Sequence, residues 1–253
     1  MKQKILKSAL FIFCILLFFN TSCFAQSQSK NEVSIYAGFV QLKDEFNQGM
    51  VYNGPQIGVQ YQRNWFFEKW ELRYNPKIAF GLLFNRKMNL SNINFVPVDF
   101  SGIVPVYQKD GHALRIGLNF TANYSYQMYS SQHMSNLFWY SEIGIAPCLE
   151  YTYQWKQSKI SLFVQNSLLG FISRTESIGH YFYSFKFSDF FVRPHQNMKI
   201  GSFDKYNHTN AFIEYVPNVS KKHSVALGLE YVDCYFNNRL QILNYYLQWK
   251  ISF

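Results

Sequence analysis

The chain has 253 residues, of which 20% are aromatic and only 15% charged, whereas an ordinary soluble domain carries about a quarter charged residues. Its surface is not built for water. Mean hydropathy is −0.16 and no long apolar run follows residue 25, which excludes helical membrane spans. The formal charge is +9, yet no basic block is denser than Lys221–Lys222, so no nucleic-acid partner is expected.

Lys2, Lys4 and Lys7 precede an apolar run, Ala9 to Phe19, followed by Asn20, Thr21, Ser22, Cys23, Phe24 and Ala25. This order describes a secretory signal peptide spanning residues 1–25 and cleaved after Ala25, leaving 26–253 as a single domain. A variant reading takes Cys23 as a lipidated N-terminus: Ser22 suits it, but Asn20 stands where Leu is usual. Loss of the three lysines lowers the charge from +9 to +6, an excess expected to face anionic lipid head groups or to line a pore. Cys148 and Cys234 remain after cleavage. The export compartment permits a disulfide, but two cysteines form no framework and no spacing resembles a zinc site.

Beyond the polar leader 26–31, alternating apolar and polar residues announce strands one after another. Val33, Ile35, Ala37 and Phe39 mark the first, and Lys43 to Gly54 reads as a polar loop. Ile57, Val59 and Tyr61 mark the second. In the third, Trp70, Leu72 and Tyr74 oppose Glu71, Arg73 and Asn75, and the strand continues through Ile78, Phe80 and Leu82. An irregularity is expected at Pro76, which cannot donate a ladder hydrogen bond. Asn85 to Asn92 reads as a loop, and Pro97 and Pro105 interrupt a fourth strand near Phe95 to Tyr107. Lys109-Asp110-Gly111 signals a tight turn. In the fifth strand Leu114 to Tyr126 alternate with Arg115 to Gln127 without a break, longer than the roughly five to six residues of a typical soluble strand.

After polar Ser130–Asn136, Ile143 to Trp155 mark the sixth strand. Lys156-Gln157-Ser158 then turns the chain into a seventh, Lys159 to Ser173. Thr175 to Lys205 is one long irregular segment, rich in aromatics. An eighth strand from Tyr206 to Pro217, a ninth around Val225 to Tyr231, and a tenth from Leu240 to Phe253 complete the chain. In the last, Leu243, Tyr245, Leu247, Trp249, Ile251 and Phe253 share one face. The pattern predicts an all-β protein: a transmembrane, up-and-down antiparallel β-barrel of about ten strands, with short turns alternating with longer loops. The polar faces hold Gly, Asn, Gln, Thr and Ser rather than the Lys and Glu of a soluble sandwich.

The inward parity gathers Glu71, Arg73, Arg115, Glu142, Glu150, Glu214, Glu230 and Lys250. Buried charges must be paired, so these form either a charge-matched plug or a selectivity lining. A nucleophile with its base is sought on or beside the long segment, where His180, Ser184, Asp189, His195, Asp204 and His208 stand. Tyr181, Phe182, Tyr183, Phe185, Phe187, Phe190 and Phe191 are too many aromatics for a free loop in water. The segment is expected to fold into the lumen or to extend a strand pair above the membrane; a stacking surface for glycans or a partner protein is the third possibility.

A strand closing on Phe253, with Trp249 on the same face, resembles the C-terminal signal of Gram-negative outer-membrane β-barrels, which the barrel assembly machinery recognises. From Glu32 to Phe253 the chain resembles that class in its Tyr/Phe/Asn-rich, Bacteroidota style, by pattern rather than by a diagnostic motif. The resemblance implies residence in the outer membrane among its lipids and lipopolysaccharide, with no cofactor or metal. It implies a non-enzymatic, narrow porin-like or structural and binding protein, with a glycan or protein ligand at the external loops. The alternative is an outer-membrane hydrolase acting at the rim, of the lipid A deacylase, phospholipase or protease kind. His208-Thr209-Asn210 faintly resembles the His-x-Ser of the deacylases, without the serine.

Overall fold

The computed structural model describes residues 28–45, 49–86, 88–130, 135–175, 180–181, 192–219, 222–236 and 238–253. The signal segment, Ser184, Asp189 and the aromatic run 182–191 lie outside them. The fold is a closed antiparallel barrel of ten strands, with 82% of the described residues in strand.

Each of the ten staves is one long strand or two collinear pieces. They are β1 (Gln28–Asp44), β2 (Met50–Phe66), β3 (Glu71–Tyr74) continued by β4 (Lys77–Phe84), β5 (Asn89–Lys109), β6 (His112–Ser130) and β7 (Ser135–Trp155). Next come β8 (Ser158–Asn166) continued by β9 (Leu169–Arg174), a two-residue β10 (His180–Tyr181), and β11 (Lys199–Gly201) continued by β12 (Tyr206–Val216). β13 (His223–Phe236) and β14 (Asn238–Ser252) complete the wall. Each stave pairs with its sequence neighbours, and β14 returns to β1 from Glu32↔Ser252 to Asp44↔Leu240. Closure leaves no sheet edge, so backbone polar groups are satisfied within the wall, as a bilayer requires.

Both ends of the described chain, and the turns 67–70, 110–111, 156–157 and 217–222, sit at one end of the barrel. Asp110 and Gly111 both take positive φ, 51° and 83°, the geometry of a two-residue hairpin turn. A Cβ on Gly111 would stand 2.5 Å from the Gln154 carbonyl oxygen, so this position requires glycine.

The loops at the opposite end are shorter than their polarity implies. Lys43–Gly54, Asn85–Asn92 and Ser130–Asn136 are largely strand, leaving only 45–49, 85–88 and 131–134 as connections. β5 and β7 run for 21 residues each, about twice the 9–11 that cross a bilayer. Strand that extends beyond the apolar band has no reason to stay apolar on its outer face, and so reads as loop.

The irregularity expected at Pro76 is a break of two residues, 75–76, between β3 and β4, without a bulge. β3 and β4 keep one register against β2, and Tyr61 N donates to the Pro76 carbonyl. The register slips instead in β5, between Phe95 and Val98 and between Pro105 and Tyr107. Pro97 and Pro105 therefore sit at bulges, where a missing N–H is tolerated, and do not interrupt the strand. A further slip separates β8 from β9. Cys148 faces Gln165 and Ile145 faces Leu169, so 166–168 oppose 146–147, beside Pro147. Each extra residue exchanges the inward and outward faces beyond it.

The outward face is apolar and exposed: Ile35, Ile57, Phe80, Leu118, Leu149, Leu227 and Leu247 lie in one band. Aromatic rings gather toward the short-turn end. There Trp70 stacks on Phe67 at 4.1 Å, Arg63 lies over Trp65, Lys156 lies over Trp155, and His223 stacks on Trp249. Tyr and Trp rings with a cation alongside are the anchors of a head-group girdle.

Candidate functional site: the lumen and the external rim

Inside the wall the chain builds three successive zones. Toward the external end lies an apolar layer. It contains Val40 and Leu42 of β1, Tyr52 of β2, Leu83 of β4, Leu90 of β5, Tyr129 of β6, Phe138 and Tyr140 of β7, and Ile172 of β9. Tyr206 of β12, Val232 and Cys234 of β13, and Leu240 of β14 complete it. All ten staves contribute, and none of these residues exceeds 7% exposure. Above the layer Arg174 reaches across the barrel, donating to Asp44 Oδ1 at 2.8 Å and to the Asn238 carbonyl at 2.6 Å. That clasp ties β9 to β1 and β14 at once.

The middle zone is a chain of ionised groups. His208 sets Nδ1 2.9 Å from Glu142 Oε2 and Nε2 3.2 Å from Glu230 Oε1. A ring protonated on both nitrogens is the form that donates to both carboxylates. Lys77 Nζ lies 2.9 Å from the same Glu230 oxygen, and Tyr140 OH donates to Glu142 at 2.8 Å. His208 is held from behind, its backbone N–H donating to Ser167 Oγ at the β8–β9 bulge at 2.7 Å. Asp99, turned inward by the Pro97 bulge, is bonded by Asn119. Two inward tyrosines fill the remaining width by lying over glycines. Tyr36 covers Gly58 and Tyr246 covers Gly228, where any Cβ would collide with the ring.

The third zone opens at the short-turn end. Arg73 Nε lies 2.7 Å from Glu71 and its NH1 2.5 Å from Glu150, while Arg115 NH1 reaches Glu71 at 3.1 Å and Glu150 at 3.5 Å. Lys250 pairs with Glu214 at 3.3 Å and sits over the Phe212 ring, itself stacked on Phe163. A cavity of about 170 Å³ opens here, followed inward by cavities of only about 40 and 20 Å³. Burying an ion costs several kcal/mol unless it is paired and hydrogen-bonded, and these partners supply that compensation.

The eight inward charges read from the sequence all point into the lumen: Glu71, Arg73, Arg115 and Glu150 meet in one cluster, Glu214 pairs with Lys250, and Glu142 and Glu230 flank His208. Asp44, Lys77, Asp99, Lys159, Arg174 and His208 stand there as well. Lys77 shares its parity with Glu71 and Arg73, a signal present in the sequence. Asp99 and Arg174 are hidden by bulges, and Asp44 by its place in an apparent loop.

Among the described residues the rim candidates do not converge. His208 is buried in the lumen, not at the rim. His195 lies in a single 3-10 turn, Arg193–His195, on the outer wall. Its Nε2 is 3.2 Å from Tyr124 OH, while outward-facing Ser141 and Ser173 donate to the carbonyls of Pro194 and Gln196. Partial burial lowers the His195 pKa below its ordinary value. Asp204, in the turn between β11 and β12, accepts from Ser202 at 3.0 Å. It lines an open rim cavity of about 400 Å³ with Glu45, Phe203 and Arg239. The backbone of His180 pairs with Leu137. Phe253 and Asn31 exchange backbone hydrogen bonds at the seam, and the Phe253 ring is exposed.

The described parts of the long segment add strand pairs (β10 on β7, β11 on β9) and cover the outer wall. The stopper of the lumen is made by the wall's own side chains. Among the described residues no group of three or more His, Cys, Asp or Glu could hold a metal ion.

A closed ten-stranded meander, apolar outside and charge-paired within, is the architecture of an outer-membrane β-barrel. No protein-family model and no curated protein sequence matches the chain. Among solved structures it is similar to the outer-membrane protease OmpT of Escherichia coli, with a TM-score of 0.54 and 7% identity over 90% of this chain and 96% of that one. The translocator domain of the autotransporter NalP from Neisseria meningitidis aligns at TM-score 0.49 and 7% identity, covering 99% of this chain and 97% of its own. An outer-membrane channel from Pseudomonas putida F1 aligns at 0.41 and 7%, over 89% and 95%. At such identity the likeness establishes the fold and nothing finer.

Proposed function

We propose that the chain is an exported outer-membrane barrel that acts as a closed structural or binding protein rather than as an open pore. The observation that carries this reading is the apolar layer, to which every stave contributes. A conducting pore needs a continuous wet path. Here the inner cavities shrink to about 20 Å³ beneath a layer of buried Leu, Val, Ile and aromatic side chains. The exposed apolar band and the aromatic girdle support insertion in a bilayer, with lipid and lipopolysaccharide as its surroundings. Exposed Phe253 and Trp249 on the seam strand suit recognition by the barrel assembly machinery. The external rim, with Phe203 and Tyr235 exposed around its cavity, is the face left for a glycan or protein ligand.

Planar-bilayer recording of protein first shown to be heat-modifiable on a gel tests the reading. Silent bilayers are expected; steady ohmic steps from the folded protein would overturn it. The rim-hydrolase alternative draws no support from His195, Asp204 and His208, which occupy the outer wall, the rim and the lumen. Alanine at His180 and His195, which leaves the lumen charges in place, separates the two, because only a hydrolase would lose an activity.

A further inference from the structure

We infer that the cavity at the short-turn end is a binding site for a small oxyanion, centred on Lys159 and Arg115. The cavity is blind, since the lumen above it is filled, so what enters must leave by the same mouth. Its cationic lining exceeds its acidic lining: Lys30, Arg73, Arg115, Lys159 and Lys250 face Glu32, Glu71, Glu150 and Glu214.

The surplus is localised. Arg73, Lys250 and Lys30 each have a carboxylate within 3.3 Å. Lys159, half-buried near the start of β8, has no ion pair or side-chain hydrogen bond among the described residues. It lies within Coulombic reach of both Arg73 and Arg115 as well as of Glu150 and Glu214. Arg115 spends one terminal nitrogen on Glu71 and Glu150, and its side chain is 30% exposed, so the rest of its donor fork stays open. A half-buried ammonium without an ion-pair partner has lost part of its hydration uncompensated. An anion seated between Lys159 and Arg115 supplies that partner and separates two like charges. At about 170 Å³ the space admits phosphate or a small organic phosphate or carboxylate, not a folded partner.

The test uses full-length mature protein refolded in detergent, titrated with inorganic phosphate by calorimetry against chloride at matched ionic strength. Saturable binding is expected, weakened at least about tenfold (about 1.4 kcal/mol) in Lys159→Gln. Glu214→Gln should tighten it, by releasing Lys250. Because Lys159 is unpaired in the empty site, K159Q should also unfold no more easily than wild type without phosphate, and should lose the stabilisation that phosphate gives wild type. Absence of saturable binding by wild type overturns the inference. So does affinity that K159Q leaves unchanged, which would mark the phosphate as an adventitious ion only.

Discussion

Glu230 is the hinge of the lumen's electrostatics, and its removal tests that network. One of its oxygens meets both Lys77 Nζ, at 2.9 Å, and His208 Nε2, at 3.2 Å. The Lys77 and Glu230 side chains are only 16% and 7% exposed. In Glu230→Gln the carboxylate charge is lost while Lys77 stays buried without a counter-ion. Removing one partner of a buried pair costs about 3–5 kcal/mol, because the survivor is left uncompensated. Replacing both partners, as K77M/E230L, removes the stranded charge. What remains is one unanswered His208 N–H, worth about 1–3 kcal/mol. The double variant should therefore be more stable than the single one, the reverse of additivity. Urea unfolding of vesicle-inserted protein, followed by tryptophan fluorescence, reads both. If E230Q matches wild type, or the double variant falls below E230Q, the lumen charges do not hold one another as described. Lys30→Gln is the control. Its side chain is 49% exposed at the mouth beside Glu32, and its loss should cost about 1 kcal/mol or less.

The apolar layer should resist opening by single truncation. Leu83→Ala should cost about 2–5 kcal/mol in unfolding yet remain silent in bilayers, whereas serine at Leu42, Leu83 and Leu240 together should introduce ohmic conductance. Gly228→Val should cost about 1–3 kcal/mol by overpacking against the Tyr246 ring, and Tyr246→Ala in the same chain should recover part of it; no recovery would refute the ring-over-glycine packing. At the external wall, the His195 pKa is lowered by burial, so the unfolded turn binds more protons than the folded one. The sign follows: the stability contributed is present above the ordinary value of 6.5 and is lost as pH falls below it. The protection factor for hydrogen exchange at Val192–Asn197, corrected for the base-catalysed intrinsic rate, should be lower at pH 5 than at pH 8, and equal protection at both would contradict the assignment.

Most of the wall was legible in the sequence because a barrel between lipid and a narrow interior enforces the period of two on every strand. The runs from Leu114 to Gln127 and from Ile143 to Trp155 place their residues on the sides that alternation dictates. Legibility ended where the lipid did. Lys43, Asn53, Asn89, Asn92 and Asn136 look like loop because strand ends beyond the apolar band carry no hydrophobic mark. It also ended at the bulges. Asp99 and Arg174 carry the outward parity of their strands as written, and only an extra residue at Pro97 or at 166–168 turns them in. The apolar layer escaped notice for a different reason. Leu42, Leu83, Leu90 and Leu240 sit at inward positions that are polar elsewhere, and next to long polar stretches a single inward leucine is indistinguishable from noise. Their meaning appears only when ten staves bring them to one level.

The slip beside Pro147 shows how closely wall and lumen depend on each other. Pro147 cannot donate to the ladder, and 166–168 accommodate it with one residue more than 146–147. That residue has two consequences at opposite levels of the interior. It leaves Ser167 free to hold the His208 backbone, fixing the imidazole between Glu142 and Glu230. It also reverses the parity of β9, so that Ile172 enters the apolar layer and Arg174 crosses to Asp44. Without the slip, Ser173 would face inward and the clasp over the layer would be lost, while an arginine faced outward at the level of the outer wall. Outside, that arginine would have neither the Asp44 carboxylate nor the Asn238 carbonyl that it meets inside. The proline, the bulge, the clasp and the buried imidazole are thus one device, and what it secures is a lumen closed toward the outside and open only at the end where Lys159 lies.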